Sequence, residues 1–343
     1  MMRLPLSWLL AFTTAALALL LLGSLATGPM TLTLGESLRA LFAGQESGIA
    51  SHKLLIVQEI RLPRTLLCIA VGGILGLCGA VMQGLFRNPL ADPGIIGVSG
   101  GAALGAALAI VLLAPLGQQL QATIGVGLLP LLAFLGGALT TTLVYLLGTR
   151  EGGTSVTVML LAGVAITALS GAVIGLLTYL ADDQMLRNLS LWQMGTLAAG
   201  KPADVALALL TLAALLWLFM RDANPLNALL LGEGEARHLG VNVQSLKRRL
   251  ILLTAAGVGV AVAVSGMIGF VGLVVPHLVR LLAGPNHVRL LPLSALLGAA
   301  LLLAADMLAR TLLAPAELPV GIITALLGAP FFIWLLVKGR RAL

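Results

Sequence analysis

Long apolar runs alternate with short polar segments along the whole chain, and this pattern predicts helices that cross a membrane. No charged residue occurs within residues 4–35, 65–86 and 93–149. About 20 consecutive apolar residues are enough for a helix to cross the hydrocarbon core of a bilayer. The first two runs therefore predict one span each. The third run is too long for a single span, so we expect it to break at residues 115–121 and to form spans 3 and 4.

The first run could also be a cleaved signal peptide, and its length decides between the two interpretations. A signal peptide has an apolar core of about 7–15 residues, whereas the run that follows Arg3 is considerably longer. We therefore expect a retained span 1, followed by a polar outer segment at residues 28–60. After span 2, the sequence FRNPLADPG predicts a tight turn in which Asp92 caps a helix that starts at Pro93.

The remaining apolar runs bring the prediction to ten spans. Span 5 ends near Leu180, and an outer segment follows it as far as Pro202. The later boundaries are predicted at 221 for the end of span 6, 251–266 for span 7, 266–282 for span 8 with an interruption at Pro276, 289–310 for span 9 and 319–337 for span 10. The predicted fold class is an all-α integral membrane protein with about ten transmembrane helices. We expect one transmembrane domain over residues 1–343.

The basic residues predict the orientation of these spans. Ten spans place both termini on the same side, and Lys and Arg collect in cytoplasmic loops. The predicted inner side carries Arg3, Arg87, Arg150, Arg221, Lys247, Arg248, Arg249, Arg280, Arg289, Lys338, Arg340 and Arg341. Both termini are therefore expected in the cytoplasm.

Composition agrees with a membrane protein and leaves no room for a soluble catalytic domain. Hydrophobic residues make up 59% of the 343 positions, whereas soluble domains have about 45–50%. The net charge of +7 follows from the basic inner loops, so it does not indicate nucleic-acid binding. Cys68 and Cys78 lie in one apolar run and are interpreted as packing residues, with neither a disulfide nor a metal site expected.

The largest polar segment between two predicted spans, residues 221–249, predicts a cytoplasmic surface. It contains five Lys/Arg and three Asp/Glu in a chain with only 10% charged residues. Helix-forming residues at 228–231 and 233–239 are separated by Gly232 and Gly234. We expect two short helices joined by a glycine turn. An ordinary loop between spans is one interpretation, and a docking surface for a cytosolic partner is the other.

Arg61, Arg64 and Arg310 fall at the predicted outer face, against the usual charge bias. Asp306 and Arg310 are four residues apart and can pair on one helix face. Arginines at such positions can extend towards the lipid headgroups from an interfacial site. They can also form a positive rim for carboxylates of a docking partner, since guanidinium groups donate bidentate hydrogen bonds.

The motifs of common enzymes are absent from the sequence. There is no phosphate-binding loop of the type GxxxxGK[ST], no HExxH, no CxxC and no nucleophile elbow. A membrane enzyme is therefore not favoured. A channel or an ion-coupled transporter remains a second class of function, and it would need charged residues within the spans, for which Asp306 is the nearest candidate. The glycine pairs Gly72/Gly76, Gly101/Gly105 and Gly171/Gly175 predict close helix packing in either class.

Three stretches, residues 61–105, 266–310 and 317–336, together resemble the permease subunits of ABC importers for iron chelates, haem and vitamin B12. The strings RLPR, NPLADP, GLVVPHLVR and ELPVG carry this resemblance, and their combination is specific. The similarity covers nearly the whole chain after span 1.

The resemblance implies a vitamin B12 importer permease-like homodimer in the inner membrane of a bacterium, with the transport path on its two-fold axis. Two cytosolic ATP-binding subunits dock below, and a periplasmic substrate-binding protein docks above. ATP and Mg²⁺ would then belong to the partner ATPases, and this chain would hold no cofactor and no metal. No nucleic acid is expected, and lipid surrounds the spans.

The resemblance also implies roles for individual residues. Those implied at the ATPase contact of the coupling helices are Leu231, Gly232, Glu233, Ala236 and Leu239. Thr154 and Ser155 match the cytoplasmic gate, and Arg61, Arg64 and Arg310 match the positions that meet acidic residues of the binding protein. The segment 178–200 is most similar to haem-importing members. Haem is therefore the expected substrate, ahead of a ferric siderophore and cobalamin.

Overall fold

The structure, a computed structural model, describes residues 5–42, 50–114, 116, 127–150, 153–198 and 200–340. The described α-helices are α1 (Leu6–Ala26), α2 (Leu34–Phe42), α3 (Ser51–Leu55), α4 (Leu62–Leu85), α5 (Val98–Val111), α6 (Leu128–Gly148), α7 (Val156–Leu180), α8 (Asp183–Gln193), α9 (Pro202–Arg221), α10 (Ala223–Leu230), α11 (Glu233–His238), α12 (Val243–Ser265), α13 (Val271–Ala283), α14 (His287–Thr311) and α15 (Val320–Arg340). A π-helical segment, Ile56–Arg61, joins α3 to α4, and a 3₁₀ turn covers Pro93–Ile96. A short hairpin pairs β1 (Thr149–Arg150) with β2 (Gly153–Thr154) in antiparallel register.

The described helices fit the prediction of about ten spans. Seven are long and apolar enough to cross a membrane, and α5, α13 and the apolar part of α15 are shorter. The all-α fold class is thus confirmed. Of the segment predicted to separate spans 3 and 4, only Leu116 is among the described residues, and the basic residues Arg3 and Arg341 lie outside them.

Helix α4 lies at the centre of the bundle. In the helix that runs from Ser51 to Leu85, 89% of the most apolar stretch is buried, and α14, α9, α13 and α12 pack around it. Contact with α14 is close because α4 has glycines there. A Cβ atom added to Gly72 or Gly76 would lie 2.4 Å from the carbonyl oxygens of Gly298 and Ser294, respectively. The prediction that this glycine pair packs helices together is therefore confirmed.

The second glycine pair packs within the chain, and the third does not. A Cβ on Gly101 or Gly105 would lie 2.3 Å or 1.9 Å from carbonyl oxygens of α6. Gly171 and Gly175 of α7 have no neighbour within 4 Å of an added Cβ. Only 17% of the most apolar stretch of α7 is buried. One face of α7 is thus left uncovered by the residues that the structure describes.

Two helices begin earlier than the apolar pattern predicts. Span 2 is continuous with helical structure from Ser51, and span 7 with helical structure from Val243. Both additions contain several charged residues, so hydropathy alone does not reveal them. Residues 243–249, predicted as part of the cytoplasmic polar segment, therefore belong to the first turns of α12, and Gly234 lies inside α11 instead of in the turn.

The predicted interruption of span 8 at Pro276 is wrong, because α13 continues through this residue. The non-helical stretch is instead at its start, before Val271. Proline removes the hydrogen bond to the carbonyl four residues earlier, which here belongs to Gly272. The Gln83 side-chain Nε2 donates to the Gly272 and Leu273 carbonyls at 3.3 and 3.1 Å. This replacement donor explains why the helix tolerates proline inside an apolar bundle.

The two ends of the bundle differ in their polar contacts. The arginine end contains α2, α3 and the side chains of Arg61, Arg64 and Arg310. The hairpin end contains β1, β2, α10 and α11. Each end has its own network of hydrogen bonds and ion pairs, and these networks connect segments that are distant in sequence.

The close packing of α4 on α14 predicts that Gly76→Ala destabilises the protein by about 1–3 kcal/mol, since the added methyl group forces the helices apart. Thermal unfolding in detergent measures this change. Gly35→Ala is the matched control, because Gly35 is also helical and an added Cβ there meets nothing within 4 Å. Equal unfolding temperatures for the two variants would contradict the packing argument.

Candidate functional site

The arginine cluster comprises Arg61, Arg64, Asp306, Arg310 and Glu317. The π-helical segment and the first turn of α4 supply Arg61 and Arg64, while the last turns of α14 supply Asp306 and Arg310. Arg310 Nε lies 3.0 Å from Asp306 Oδ2. The predicted pairing of these two residues on one helix face is therefore confirmed.

Arg64 connects the two helices through Asp306. Its Nε and Nη2 both donate to Asp306 Oδ1, at 3.0 and 2.9 Å, and Nε also lies 3.1 Å from Oδ2. Its Nη1 binds Glu317 Oε2 at 2.7 Å. A fixed guanidinium fork suits such multiple carboxylate contacts. Asp306 is fully buried, so its charge depends on Arg64 and Arg310 for compensation.

The other two arginines attach α1 to the cluster. The last carbonyls of a helix lack helical donors, and Arg61 Nη1 donates to the carbonyls of Leu25 and Ala26 at 2.7 and 2.8 Å. Arg310 Nη2 donates to Ser24 Oγ at 2.7 Å. The positive guanidinium groups also favour the negative end of the helix dipole. The cluster therefore fixes the end of α1 against α4 and α14.

Both interpretations of the arginines, side chains that extend to the headgroups and a positive rim, expect exposed guanidinium groups, but these side chains are largely enclosed. Arg61, Arg64 and Arg310 are only 3%, 5% and 2% exposed. Their role in docking remains a prediction. Three guanidinium groups face two carboxylates, so the cluster retains one excess positive charge, and Glu317 is its more exposed member.

At the hairpin end, the predicted gate residues Thr154 and Ser155 have different environments. The Thr154 backbone N–H donates to Gln244 Oε1 at 3.1 Å, and its carbonyl accepts from Lys247 Nζ at 3.0 Å. Thr154 is buried, whereas Ser155 is exposed and caps α7 through the Val158 N–H. Of the two residues, only Ser155 has an exposed side chain that another molecule could contact.

The coupling segment consists of α10, the turn at Leu231 and Gly232, and α11. Gly232 has a φ of +119°, a conformation that favours glycine. Leu231 and Leu239 are 67% and 63% exposed, as a contact surface requires. Glu233 is partly exposed and binds Lys247 Nζ at 2.6 Å. Ala236 is buried, so it packs beneath this surface.

Sequence reasoning missed the polar contacts that hold the coupling segment in place. Arg249 Nε binds Asp222 Oδ2 at 2.8 Å and so joins the start of α12 to the end of α9. The Asn227 side chain accepts from the His287 backbone N–H at 2.8 Å. The sequence does contain a signal for the contact between Arg249 and Asp222, because these opposite charges lie at the two ends of the polar segment. No pattern in the sequence points to the second contact.

Two carboxyl groups outside the spans have shifted pKa values. Burial raises the pKa of Asp92, while the hydrogen bond from the Gly94 N–H opposes this shift. Asp92 caps the 3₁₀ turn as predicted. At the arginine end, hydrogen bonds from Lys53 and from Thr33 lower the pKa of Glu36 to about 2. Glu36 and Thr33 form a reciprocal cap at the start of α2.

The arginine cluster predicts that Asp306→Asn destabilises the protein by about 3–5 kcal/mol, because it leaves two buried guanidinium groups without their shared carboxylate. Thermal or denaturant unfolding in detergent measures the loss. Glu317→Gln is the control, since the Glu317 side chain is 35% exposed and pairs with Arg64 alone among the described residues. A smaller effect of Asp306→Asn than of Glu317→Gln would show that the cluster is not held through Asp306.

Comparison with protein families gives a match over almost the whole chain. The model of the FecCD transport family matches residues 16–338. The hemin transport system permease protein HmuU of Yersinia pestis is 47% identical over 336 residues, which cover 97% of this chain and 96% of that protein. The cobalamin import system permease protein BtuC of Halobacterium salinarum is 44% identical over 297 residues, covering 87% of this chain and 77% of its own length.

A solved structure agrees with the fold. It is described as a metal-chelate type ABC transporter in an inward-facing conformation, and it superimposes with a TM-score of 0.82 at 34% sequence identity. The match covers 97% of this chain and 99% of that one.

Proposed function

Because this chain belongs to the FecCD transport family of membrane permeases, we propose that it is the permease subunit of an ATP-driven, binding-protein-dependent importer that carries haem into a bacterial cell. The observation that supports haem most strongly is the likeness to a hemin permease over almost the full length of both chains. The cobalamin permease from Halobacterium matches at lower identity and over a smaller share of each chain. A ferric siderophore or cobalamin is therefore the weaker alternative within the same type of importer.

The surface near the arginine end is suited to a large, flat and mostly apolar substrate. Tyr179 and Leu180 are exposed at the end of α7, and Leu191 and Met194 are exposed at the end of α8. Flexible and aromatic apolar side chains adapt to such a ligand. The excess positive charge of the arginine cluster favours the approach of carboxylates, which are the charged groups at the edge of haem.

The uncovered face of α7 supports a homodimer. Two of the three glycine pairs singled out in the sequence pack against other helices, whereas Gly171 and Gly175 have no neighbour among the described residues. Helices in a bilayer associate through such small residues. The exposed positions Thr157, Leu161, Val164, Ala168, Gly171 and Gly175 follow one face of α7. In this proposal two copies place these faces around a two-fold axis, where the substrate passes.

Two cytosolic ATPases dock at the hairpin end in this proposal. The exposed Leu231 and Leu239 provide the apolar contacts, and Gly232 allows the sharp turn between α10 and α11. ATP and Mg²⁺ are held by these partners. ATP-driven movement of the coupling segment switches the dimer between inward-facing and outward-facing states, with Thr154 and Ser155 at the cytoplasmic gate.

The arginine end faces the periplasm in this proposal and receives the substrate-binding protein. Arg61, Arg64 and Arg310 are too enclosed to make most of the contact themselves. Their excess charge acts at short range on acidic groups of the partner, and Glu317 at the edge of the cluster positions Arg64. The protein then lies in the inner membrane, with both termini in the cytoplasm.

A channel or an ion-coupled transporter is less consistent with the contacts of Asp306. A residue that binds a coupling ion needs a free carboxylate within the spans. Both oxygens of Asp306 are occupied by Arg64 and Arg310. Among the described residues, no group of three or more His, Cys, Asp or Glu is arranged to hold a metal ion.

Uptake into liposomes tests this function. The chain is purified with its ATPase and reconstituted, and uptake is followed with the binding protein loaded with haem, a ferric siderophore or cobalamin. We expect haem uptake that requires both ATP and the loaded binding protein, since neither the energy source nor the substrate capture resides in this chain. Omission of Mg²⁺ is the control, because it blocks ATP hydrolysis without changing the permease.

The other results have distinct meanings. ATP-dependent uptake of a different chelate would keep the importer and overturn haem as the substrate. Uptake that continues without the ATPase would overturn the proposed mechanism.

A further inference from the structure

The hairpin is fastened to α12 through the backbone of Thr154. Gln244 accepts from its N–H at 3.1 Å, and Lys247 Nζ donates to its carbonyl at 3.0 Å. Gln244 and Lys247 are three residues apart and therefore lie on the same face of α12. A Cβ on the neighbouring Gly153 would lie 2.3 Å from Gln244 Nε2. The hairpin is thus in close contact with α12 and held at both polar groups of one residue.

Lys247 also reaches the coupling segment. Its Nζ lies 2.6 Å from Glu233 Oε1, at the start of α11. An ammonium group has three donors, so it can bind the Glu233 carboxylate and the Thr154 carbonyl at the same time. One atom therefore joins three segments: α11, α12 and the hairpin.

The environment of Lys247 makes these bonds difficult to exchange for water. The residue is only 2% exposed. A buried charge that loses a partner is strongly destabilised. Movement of Glu233 away from Lys247, or of Lys247 away from Thr154, is therefore costly, and the three segments are expected to move together.

We propose that Lys247, with Gln244, is a positioning pair that transmits the movement of the coupling segment to the gate hairpin. This inference rests on the proposed function and adds a physical route to it. Displacement of α11 by an ATPase moves Lys247 through Glu233, and Lys247 moves the hairpin through the Thr154 carbonyl. Ser155, directly after the hairpin, then changes its exposure at the start of α7.

Arg237 provides a contrast within the same segment. It also pairs with Glu233, at 3.8 Å, but its side chain is 60% exposed and its partner is on its own helix. Loss of Arg237 therefore removes a charge next to Glu233 without disconnecting the hairpin. Loss of Lys247 and loss of Arg237 both remove a positive charge next to Glu233, but only loss of Lys247 breaks the link to the hairpin. A comparison of the two therefore separates the effect of this link from the effect of charge on α11.

The test compares Lys247→Met and Arg237→Met in the reconstituted complex with its ATPase and binding protein. The ratio of haem taken up to ATP hydrolysed is measured for each, together with the ATP-dependent change in thiol labelling of a Ser155→Cys reporter. We expect Lys247→Met to lower the ratio about fivefold or more, in line with typical coupling between sites, and to abolish the change in labelling. Arg237→Met should resemble the parent protein in both measurements.

Two further variants exclude a purely structural role. Lys247→Arg keeps donors for both partners and should restore the ratio. The double exchange of Lys247→Glu with Glu233→Lys restores an ion pair but leaves no donor at position 247 for the Thr154 carbonyl. This double variant should therefore not restore the ratio of haem taken up to ATP hydrolysed. Restoration by this exchange would overturn the proposal.

A normal ratio and normal labelling in Lys247→Met would also overturn the proposal, while ATP-driven uptake by the parent protein would still support the proposed function. If Lys247→Met fails to assemble, Gln244→Leu replaces it, since this variant frees only the Thr154 N–H. A normal ratio in Gln244→Leu would then overturn the proposal. Absence of ATP-driven uptake by the parent protein would instead contradict the proposed function itself.

Discussion

Helices in a bilayer gain little by burying apolar side chains against each other, because lipid is equally apolar, and the rest of this structure depends on that constraint. Close van der Waals contact between backbones replaces the hydrophobic drive, and glycine makes the contact possible. Gly72 and Gly76 bring α4 against α14, and Gly79 brings it against α13. The helix at the centre of the bundle is therefore the one with the most glycine contacts. By the same constraint, α7 has a face suited to close helix packing, because an added Cβ at Gly171 or Gly175 meets no described residue within 4 Å.

Polar groups in such a bundle must find partners inside the protein, and both ends show how this is achieved. At the arginine end, the Asp306 carboxylate binds both Arg64 and Arg310, and a further N–H group of Arg310 donates to Ser24 near the end of α1. At the hairpin end, Lys247 serves Glu233 and Thr154 together. Lys247 thus joins three segments directly, whereas Asp306 joins α4 to α14 and the arginines extend the connection to α1.

The number of spans and most of their boundaries could be predicted from the sequence. An apolar run of sufficient length is stable in a bilayer as a helix, which satisfies its own backbone hydrogen bonds. The motifs further predict a coupling segment and a gate, and both roles stay predictions. What hydropathy could not predict were the polar helical extensions at Ser51 and Val243, or the continuity of α13 through Pro276, which depends on a distant donor, Gln83. The enclosure of the arginines was also missed. Position at a predicted outer face indicates where a charge lies along the membrane normal, but not which way its side chain turns.

We propose that α7 of one copy faces α7 of another across the transport path. Pulsed electron spin resonance tests it directly, with single spin labels introduced along α7 of the reconstituted protein; the two native cysteines are buried. The account predicts intermolecular distances that vary with the helical period, shortest at Ala168, Gly171 and Gly175 and longer at Leu169 and Leu176, which are also exposed. Distances without this periodicity, or no dipolar coupling between copies, would contradict it.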